Sequence, residues 1–552
     1  MAEKIIIDPI TRIEGHLQIT AEIADGKVVN AWSTGNLFRG IEIILKGRDP
    51  RDAWLITQRS CGVCTYVHGA ASVRAVEMAE GITIPDVARV VRNLMMGAQF
   101  LHDHPTHFYQ LSALDWVDIV SALKADPKKT SELANNLSNA PRSGASDFRA
   151  VQNKLKAFVD SGQLGPFANA YWGHPAYKLP PEANLMATSH YLDWLRLQVR
   201  AADLMAIFGA KNPHLQSMAP GGVTCVADLN VDRLAEFLFL LQEIKAFIDD
   251  VYIPDILAVA PFYKDWAGIG GTTNFLSFGE FPQTNVEPDS LFFPRGALLK
   301  RDLQTVHPVD PEKITESVKH SWYENSKPLH PYKGETKPKY TGYFDKDKDF
   351  KSDTKYTWVK APRYEGQPYE VGPLARTLVS YAAGHKPTQD LVNLVLKSLN
   401  VPADALFSTL GRTAARAINC KVIAEAMGGW VNELIGRVKA GDTKTFTPYE
   451  MKDGMGFGWN DVPRGALGHW IKIKDKKIEN YQYVVPSTWN FGPRCEKGLP
   501  GPVEEALMNT PVEDPRRPLE LLRTVHSFDP CLACAIHVID PQSNEVRTFK
   551  VI

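Results

Sequence analysis

Apolar and polar residues alternate early in the chain and then give way to longer-period patterns. Leu17, Ile19, Ala21 and Ile23 alternate with Gln18, Thr20 and Glu22, which predicts a half-buried strand. Asp25-Gly26 follows and predicts a tight hairpin turn into a second strand over Val28 to Trp32. From Asp49 the spacing turns helical, and long amphipathic or wholly apolar segments occupy 86–123, 185–209, 231–253, 373–399 and 403–439. Within the first of these, Leu94, Ala98, Leu101 and His102 recur at the spacing of one helix face. Strand character returns at Trp470 to Ile473, at Tyr481 to Val485 and at Val546 to Ile552.

These elements predict a predominantly α protein with peripheral β (α+β). Small strand regions at either end flank a bundle of long helices, whose core can bring distant side chains around a buried metal. The chain reads as one multi-lobed unit without internal repeats. Residues 1–48 form a β-rich region, 49–299 and 365–460 a helical core, and 461–537 a carboxy-terminal region bearing chemistry. Between the two helical stretches, 300–364 is rich in Lys, Asp, Pro and Tyr with little periodicity, and it reads as a surface excursion with a solvated charged face.

Composition narrows the function classes. The 552 residues are 44% hydrophobic and 23% charged, enough for a large core. A formal net charge of −1 gives no general attraction to nucleic acid or anionic lipid. No apolar run reaches the ~18 residues of a membrane span, and the start, MAEKIIID, lacks the charged-then-apolar pattern of an export signal. Seven cysteines do not suggest a disulfide scaffold; Cys225, Cys420 and Cys495 stand alone and read as ordinary packing or surface.

The other four cysteines form two Cys-x-x-Cys pairs, each followed within four residues by a histidine: RSCGVCTYVH at 59–68 and DPCLACAIH at 529–537. Thiolates at this spacing can both reach one soft metal ion, so two half-sites imply one closed site. A structural zinc or a redox disulfide is the usual fate of a lone pair. Nearly the whole chain lies between these two, however, whereas zinc ribbons close over a few tens of residues, and four thiolates on zinc would leave His68 and His537 unexplained. No βαβ pattern adjoins either pair to support a thioredoxin-like motif. On a helical turn Cys61, Cys64 and His68 would share one face, which makes His68 a possible third ligand.

The two motifs resemble the metal-binding signatures of the large subunit of nickel-iron hydrogenases, most closely the membrane-associated or periplasmic uptake type. The likeness continues in order through DPITRIEGHL at 8–17, FRGIEIILKGRDPRDA at 38–53, DHPTHFYQL at 103–111, NPHLQSMAPGGV at 212–223, KAPRYEGQPYEVGPLAR at 360–376, PRGALGHW at 463–470 and YQYVVPSTWNFGPR at 481–494. It implies a subunit that oxidises dihydrogen reversibly to protons and electrons. Cys61 and Cys531 match terminal ligands of nickel. Cys64 and Cys534 match ligands bridging nickel to an iron that carries two cyanides and one carbon monoxide.

Further roles follow from the resemblance. Glu14, otherwise an ordinary strand charge, matches a carboxylate that passes protons beside a nickel thiolate. His68 matches a hydrogen-bond donor to a cysteine sulfur. Arg464, which alone would read as a surface ion pair, matches an arginine over the site, with Asp103 and Asp529 at the positions of its carboxylate partners. Pro463 and Ser487 match residues against the diatomic ligands, Ser487 hydrogen-bonding a cyanide. Val462 stands where the family more often has alanine, and stays apolar. Glu42, the Tyr483 carbonyl and His537 match ligands of a magnesium ion, which prefers octahedral oxygen-rich coordination.

The family's large subunits are made as precursors, which implies cleavage after His537 by a maturation endopeptidase and makes 538–552 a removable tail. The cysteines left over have no iron-sulfur spacing, so an iron-sulfur small subunit in an obligate heterodimer must carry electrons away, to a cytochrome or other membrane acceptor. That subunit's export signal would take the pair to the periplasm or the periplasmic face of the membrane. Two other readings stand beside this one. A non-catalytic scaffold locked by zinc is the first, and a quinone-reductase subunit of related fold, which lacks the four cysteines, is the second.

Overall fold

A computed structural model describes residues 3–535 apart from 163, 169, 286, 288, 289 and 343–352; of residues 166, 534 and 535 it describes the backbone only. The Cys534 side chain, His537, the expected strand at 546–552 and the tail 538–552 therefore lie outside the described residues. The chain is 49% helical and 17% strand, so it is predominantly α with sheets at the periphery, as the periodicity predicts.

The amino-terminal sheet has three antiparallel strands, Glu3–Ile7, Leu17–Ala24 and Lys27–Gly35. Its hairpin turns where expected: Asp25 and Gly26 both take positive φ, 50° and 70°, as the turn that matches strand twist requires. The central strand is more deeply buried than its alternation predicts, because Gln18 and Thr20 are buried as well as Leu17 and Ile19. Gln18 donates to Thr20 at 3.3 Å, so part of the polar face is satisfied within the strand.

The bundle is built from the helices Val67–Glu80, Asp86–Thr106, Pro181–Gly209, Val231–Phe247 and Thr409–Lys439. The last is capped by Ser408, whose hydroxyl accepts from Gly411 N at 3.0 Å. The 373–399 segment divides into Pro373–Ala382 and Lys386–Leu399. Helices that escape the periodicity argument include Pro127–Leu137, Ala145–Ser161 and Leu519–Ser527. Among the described residues no helix is long and apolar enough to cross a membrane.

Three antiparallel strands, Gly454–Val462, Gly465–Lys474 and Lys477–Val484, form the carboxy-terminal sheet. The first lies partly within a stretch expected to be helical. Its alternate residues Gly454, Gly456 and Gly458 press on the Val67–Glu80 helix so closely that a Cβ on Gly458 would stand 2.0 Å from the Ala71 carbonyl oxygen. With glycine on the buried face, the strand carries no apolar alternation to read. The 300–364 stretch also departs from a purely solvated face, since Ile314–Ser317 pairs with Ala361–Tyr364 and Trp322, Tyr323 and Tyr356 are buried. Trp358 stacks on Phe38 at 4.8 Å between ring centroids, which ties this stretch to the amino-terminal region.

Candidate metal centre

The two ends of the chain meet in the core. Glu14 pairs with Cys531 in a parallel bridge: Glu14 N donates to the Pro530 carbonyl at 3.2 Å, and Leu532 N donates to the Glu14 carbonyl at 2.7 Å. Gly15, at φ 86°, makes room for this approach, for a Cβ there would lie 2.5 Å from Ala533 N. The Glu14 carboxylate also accepts from Ala533 N at 3.0 Å. Asp529, with φ 56°, turns the chain into the bridge.

This arrangement gathers three buried sulfurs. Cys531 Sγ lies 3.3 Å from Cys61 Sγ and 3.6 Å from Cys64 Sγ, and all three fall within 4.8 Å of one another. Cys61 has extended backbone, with φ −152°, and Cys64 N donates to its sulfur at 3.2 Å. The pair therefore sits on a turn, and helix starts only at Val67, so His68 but neither cysteine is helical. Glu14 Oε2 lies 3.3 Å from Cys531 Sγ. Burial pushes the Glu14 carboxyl above its ordinary range, against the lowering effect of the hydrogen bond with Cys531.

Arg464 covers the thiols from the turn between two strands of the carboxy-terminal sheet. One of its terminal nitrogens donates to Cys64 Sγ at 3.2 Å and to Asp103 Oδ2 at 3.0 Å; the other lies 3.0 Å from Asp529 Oδ1. All three charged side chains are buried, so each needs the others to offset its desolvation. Burial raises the Asp529 carboxyl although Arg464 and Arg416 pull it down. Gln99, one helical turn before Asp103, donates to it at 2.7 Å and to the Val63 carbonyl at 3.0 Å. That tie between the acid and the cysteine turn was open to a spacing argument, because the two residues share a helix face.

Two other expected residues face the same space. Ser487 Oγ accepts from Cys531 N at 3.0 Å, which leaves its O–H to donate elsewhere. His68 Nδ1 is 3.1 Å from His469 Nε2, and His469 Nδ1 is 2.7 Å from the Tyr481 hydroxyl. Nδ1 is thus the His68 nitrogen that His469 engages, and Nε2 lies outside this chain of contacts. Burial lowers His68 to about 4, so the ring is neutral at physiological pH. His469 had no distinguishing signal in the sequence, being one polar residue on an apolar strand. Val67, Val462, Leu467 and Pro486 complete a small cavity with Cys64, His68, Arg464, Ser487 and Cys531, and Pro463 is buried beside it.

Glu42 belongs to a second buried cluster. It accepts from Tyr483 N at 3.2 Å and from Thr336, and lies 3.5 Å from Lys360 Nζ. Lys360 also donates to Gln482 at 2.8 Å and pairs with Glu316 at 3.3 Å. In a strand the N–H and C=O of one residue leave by the same edge, so the Tyr483 carbonyl faces the same side as Glu42. Burial raises Glu316 to about 7. Lys360 and Glu316 lie in the stretch expected to be surface, and nothing in their spacing marks them.

The donor set is that of a soft-metal centre: three buried sulfurs, one cation over them and one carboxylate at their side. Fold and site together define a protein built to hold a soft metal in its core. The nickel-dependent hydrogenase family model matches residues 39–537, and a HoxL-like model matches residues 4–32. The uptake hydrogenase large subunit of Rhizobium leguminosarum bv. viciae is 48% identical, with 100% of this chain and 97% of that protein covered. The hydrogenase-2 large chain of Escherichia coli K12 is 45% identical, with 100% of each covered. Among solved structures, the reduced Ni-Fe-Se hydrogenase of Desulfovibrio vulgaris Hildenborough superposes with a TM-score of 0.77 at 34% identity, over 97% of this chain and 100% of that one. The chain belongs to the nickel-dependent hydrogenase family. It is a large, catalytic subunit of a nickel-iron hydrogenase, an oxidoreductase acting on dihydrogen.

Proposed function

We propose that Cys61, Cys64, Cys531 and Cys534 hold a nickel-iron pair, with Cys61 and Cys531 terminal on nickel and Cys64 and Cys534 bridging to an iron that carries two cyanides and one carbon monoxide. The observation that carries this reading is the convergence of Cys61, Cys64 and Cys531 within 4.8 Å. The cavity beside them suits such ligands, since Val67, Val462, Leu467 and Pro486 offer apolar surface for neutral carbon monoxide. Arg464 and the Ser487 hydroxyl offer donors for anionic cyanide. A zinc scaffold would have no use for these donors, and membership of the hydrogenase family disfavours it.

When bound, the metal pair supplies the site at which dihydrogen is activated and its electrons are taken up. The protein's own groups handle protons and charge. Glu14 Oε2, 3.3 Å from Cys531 Sγ, is within reach to take a proton from the sulfur and pass it outward. Arg464 opposes the negative charge of the thiolates while Asp103 and Asp529 hold its guanidinium in place. His68 Nε2 donates toward a cysteine sulfur, its tautomer set by His469 and Tyr481. The acids and the neutral imidazole keep these positions through burial and hydrogen bonding.

The same reading assigns a magnesium ion to Glu42, the Tyr483 carbonyl and His537, with cleavage after His537 by a maturation endopeptidase. An iron-sulfur small subunit completes the enzyme, carries electrons toward a cytochrome or other membrane acceptor, and accounts for a periplasmic location. Infrared spectroscopy of the native heterodimer, with metal analysis, tests the centre. Carbon monoxide and cyanide bands that shift under dihydrogen, with one nickel per large subunit and iron in excess of nickel, are expected. Zinc in their place, in a chain from which the tail has been removed, would refute the reading.

A further inference from the structure

Arg39 stands between the two cysteine turns. Its guanidinium donates to the carbonyl of Ser60, the residue before Cys61, and at 3.0 Å to the carbonyl of Ala533, the residue before Cys534. One side chain therefore spans two segments, one 21 and the other 494 residues along the chain from Arg39 itself. Its described hydrogen bonds are all to backbone carbonyls, and Nε is buried with no hydrogen-bond partner among the described residues. Arg464, by contrast, is matched by two acids.

Both bonds leave one terminal nitrogen, Nη2; its two N–H groups diverge within the rigid guanidinium plane, so they hold two acceptors at a set angle, and the charge strengthens both bonds. A half-buried cation with no acid paired to it among the described residues is also poorly compensated until negative charge appears nearby. Thiols become thiolates when they bind metal, so loading the centre supplies that charge next to Arg39. The next residue, Gly40, takes left-handed backbone at φ 67° and starts the helix Ile41–Leu45 that carries Glu42. A single short segment thus sends Arg39 to the cysteine turns and Glu42 to the neighbouring acidic cluster.

We propose that Arg39 is a positioning residue that staples the two cysteine turns together and fixes the separation across which the metal pair is held, an inference that rests on the nickel-iron reading above. Arg39 acts on the two backbones and leaves the substrate untouched. The test uses the native heterodimer with Arg39→Met, which keeps length but neither charge nor donors, and Arg39→Lys, which keeps the charge but as a single point. The readouts are the rate of nickel loss to EDTA, the carbon monoxide and cyanide bands, and KM and kcat for dihydrogen. Arg39→Met should lose nickel about 10–100-fold faster, the usual cost of removing a group that supports metal ligands, with shifted or broadened bands and an unchanged KM. Arg39→Lys should fall between Arg39→Met and the wild type. Wild-type nickel retention and unshifted bands in Arg39→Met would overturn the staple. Where Arg39→Met does not assemble, wild-type behaviour of Arg39→Lys in both readouts would overturn it equally. A wild-type enzyme without nickel or infrared bands would instead overturn the nickel-iron reading, and this inference with it.

Discussion

Glu14 Oε2 lies 3.3 Å from the sulfur of Cys531, and the backbones of these two residues are bridged as well. Glu14 thus has two separable parts in the site. Its main chain docks the carboxy-terminal cysteine turn, and its carboxylate offers a proton acceptor next to the sulfur. Glu14→Gln keeps an oxygen for the Ala533 N–H and removes only the acid. Turnover of dihydrogen should fall about 10²–10⁴-fold, the range for a lost proton-transfer group, while nickel content and the infrared bands stay as in the wild type. Turnover within a few-fold of wild type would show that protons leave another way.

Arg464→Met strands Asp103 and Asp529 in the core without their cation. Removing one partner of a buried ion pair costs about 3–5 kcal/mol, which denaturant titration of the heterodimer can measure. Adding Asp103→Asn should recover part of the loss, because the residues are coupled. Additive losses would show that the pairing carries no coupling.

Gly15→Ala places a methyl group against Ala533 N and holds a non-glycine residue at φ 86°. Strain of about 1–3 kcal/mol is expected. The carboxy-terminal turn should shift away from Glu14, so reduced nickel content is expected along with lower stability. A variant equal to wild type in both measurements would mean that the bridge is not needed for loading.

Asp115 supplies a pH dependence away from the metal centre. Burial acts to raise its carboxyl, but Arg12 and His526 outweigh burial and leave it below the ordinary carboxylate value. A carboxyl lowered by folding stabilises the native state above its unfolded pKa of about 3.9. That stabilisation is lost as pH falls through the folded value. Unfolding midpoints measured over a series of pH values should therefore drop below about pH 4 in the wild type, and less steeply in Asp115→Asn. Parallel curves for the two proteins would count against this account.

Much of the architecture can be read from periodicity, because the long helices keep an apolar face and the first hairpin keeps both its alternation and its Asp25-Gly26 turn. The strand Gly454–Val462 is hidden because glycine, not an apolar side chain, faces the helix it packs on. Trp322 and Tyr356 are buried within a stretch whose lysines and prolines suggest solvent. At the centre, the paired cysteines announce themselves by spacing, and the resemblance points to Glu14 and Arg464. The supporting contacts are less visible. His469, Lys360 and Glu316 are common polar residues whose meaning depends on which strand or turn comes to lie beside them, and Arg39 works through backbone carbonyls that no motif records.

The join between Glu14 and Cys531 also orders events during synthesis. Cys531 leaves the ribosome 470 residues after Cys61, so the first thiol pair spends most of translation without its counterpart. The intervening helices must be made before the second pair can dock on Glu14, and a chain stopped anywhere before Cys531 offers a metal only half of its sulfurs. Assembly of the centre thereby becomes a test that the polypeptide has been made through to its last cysteines.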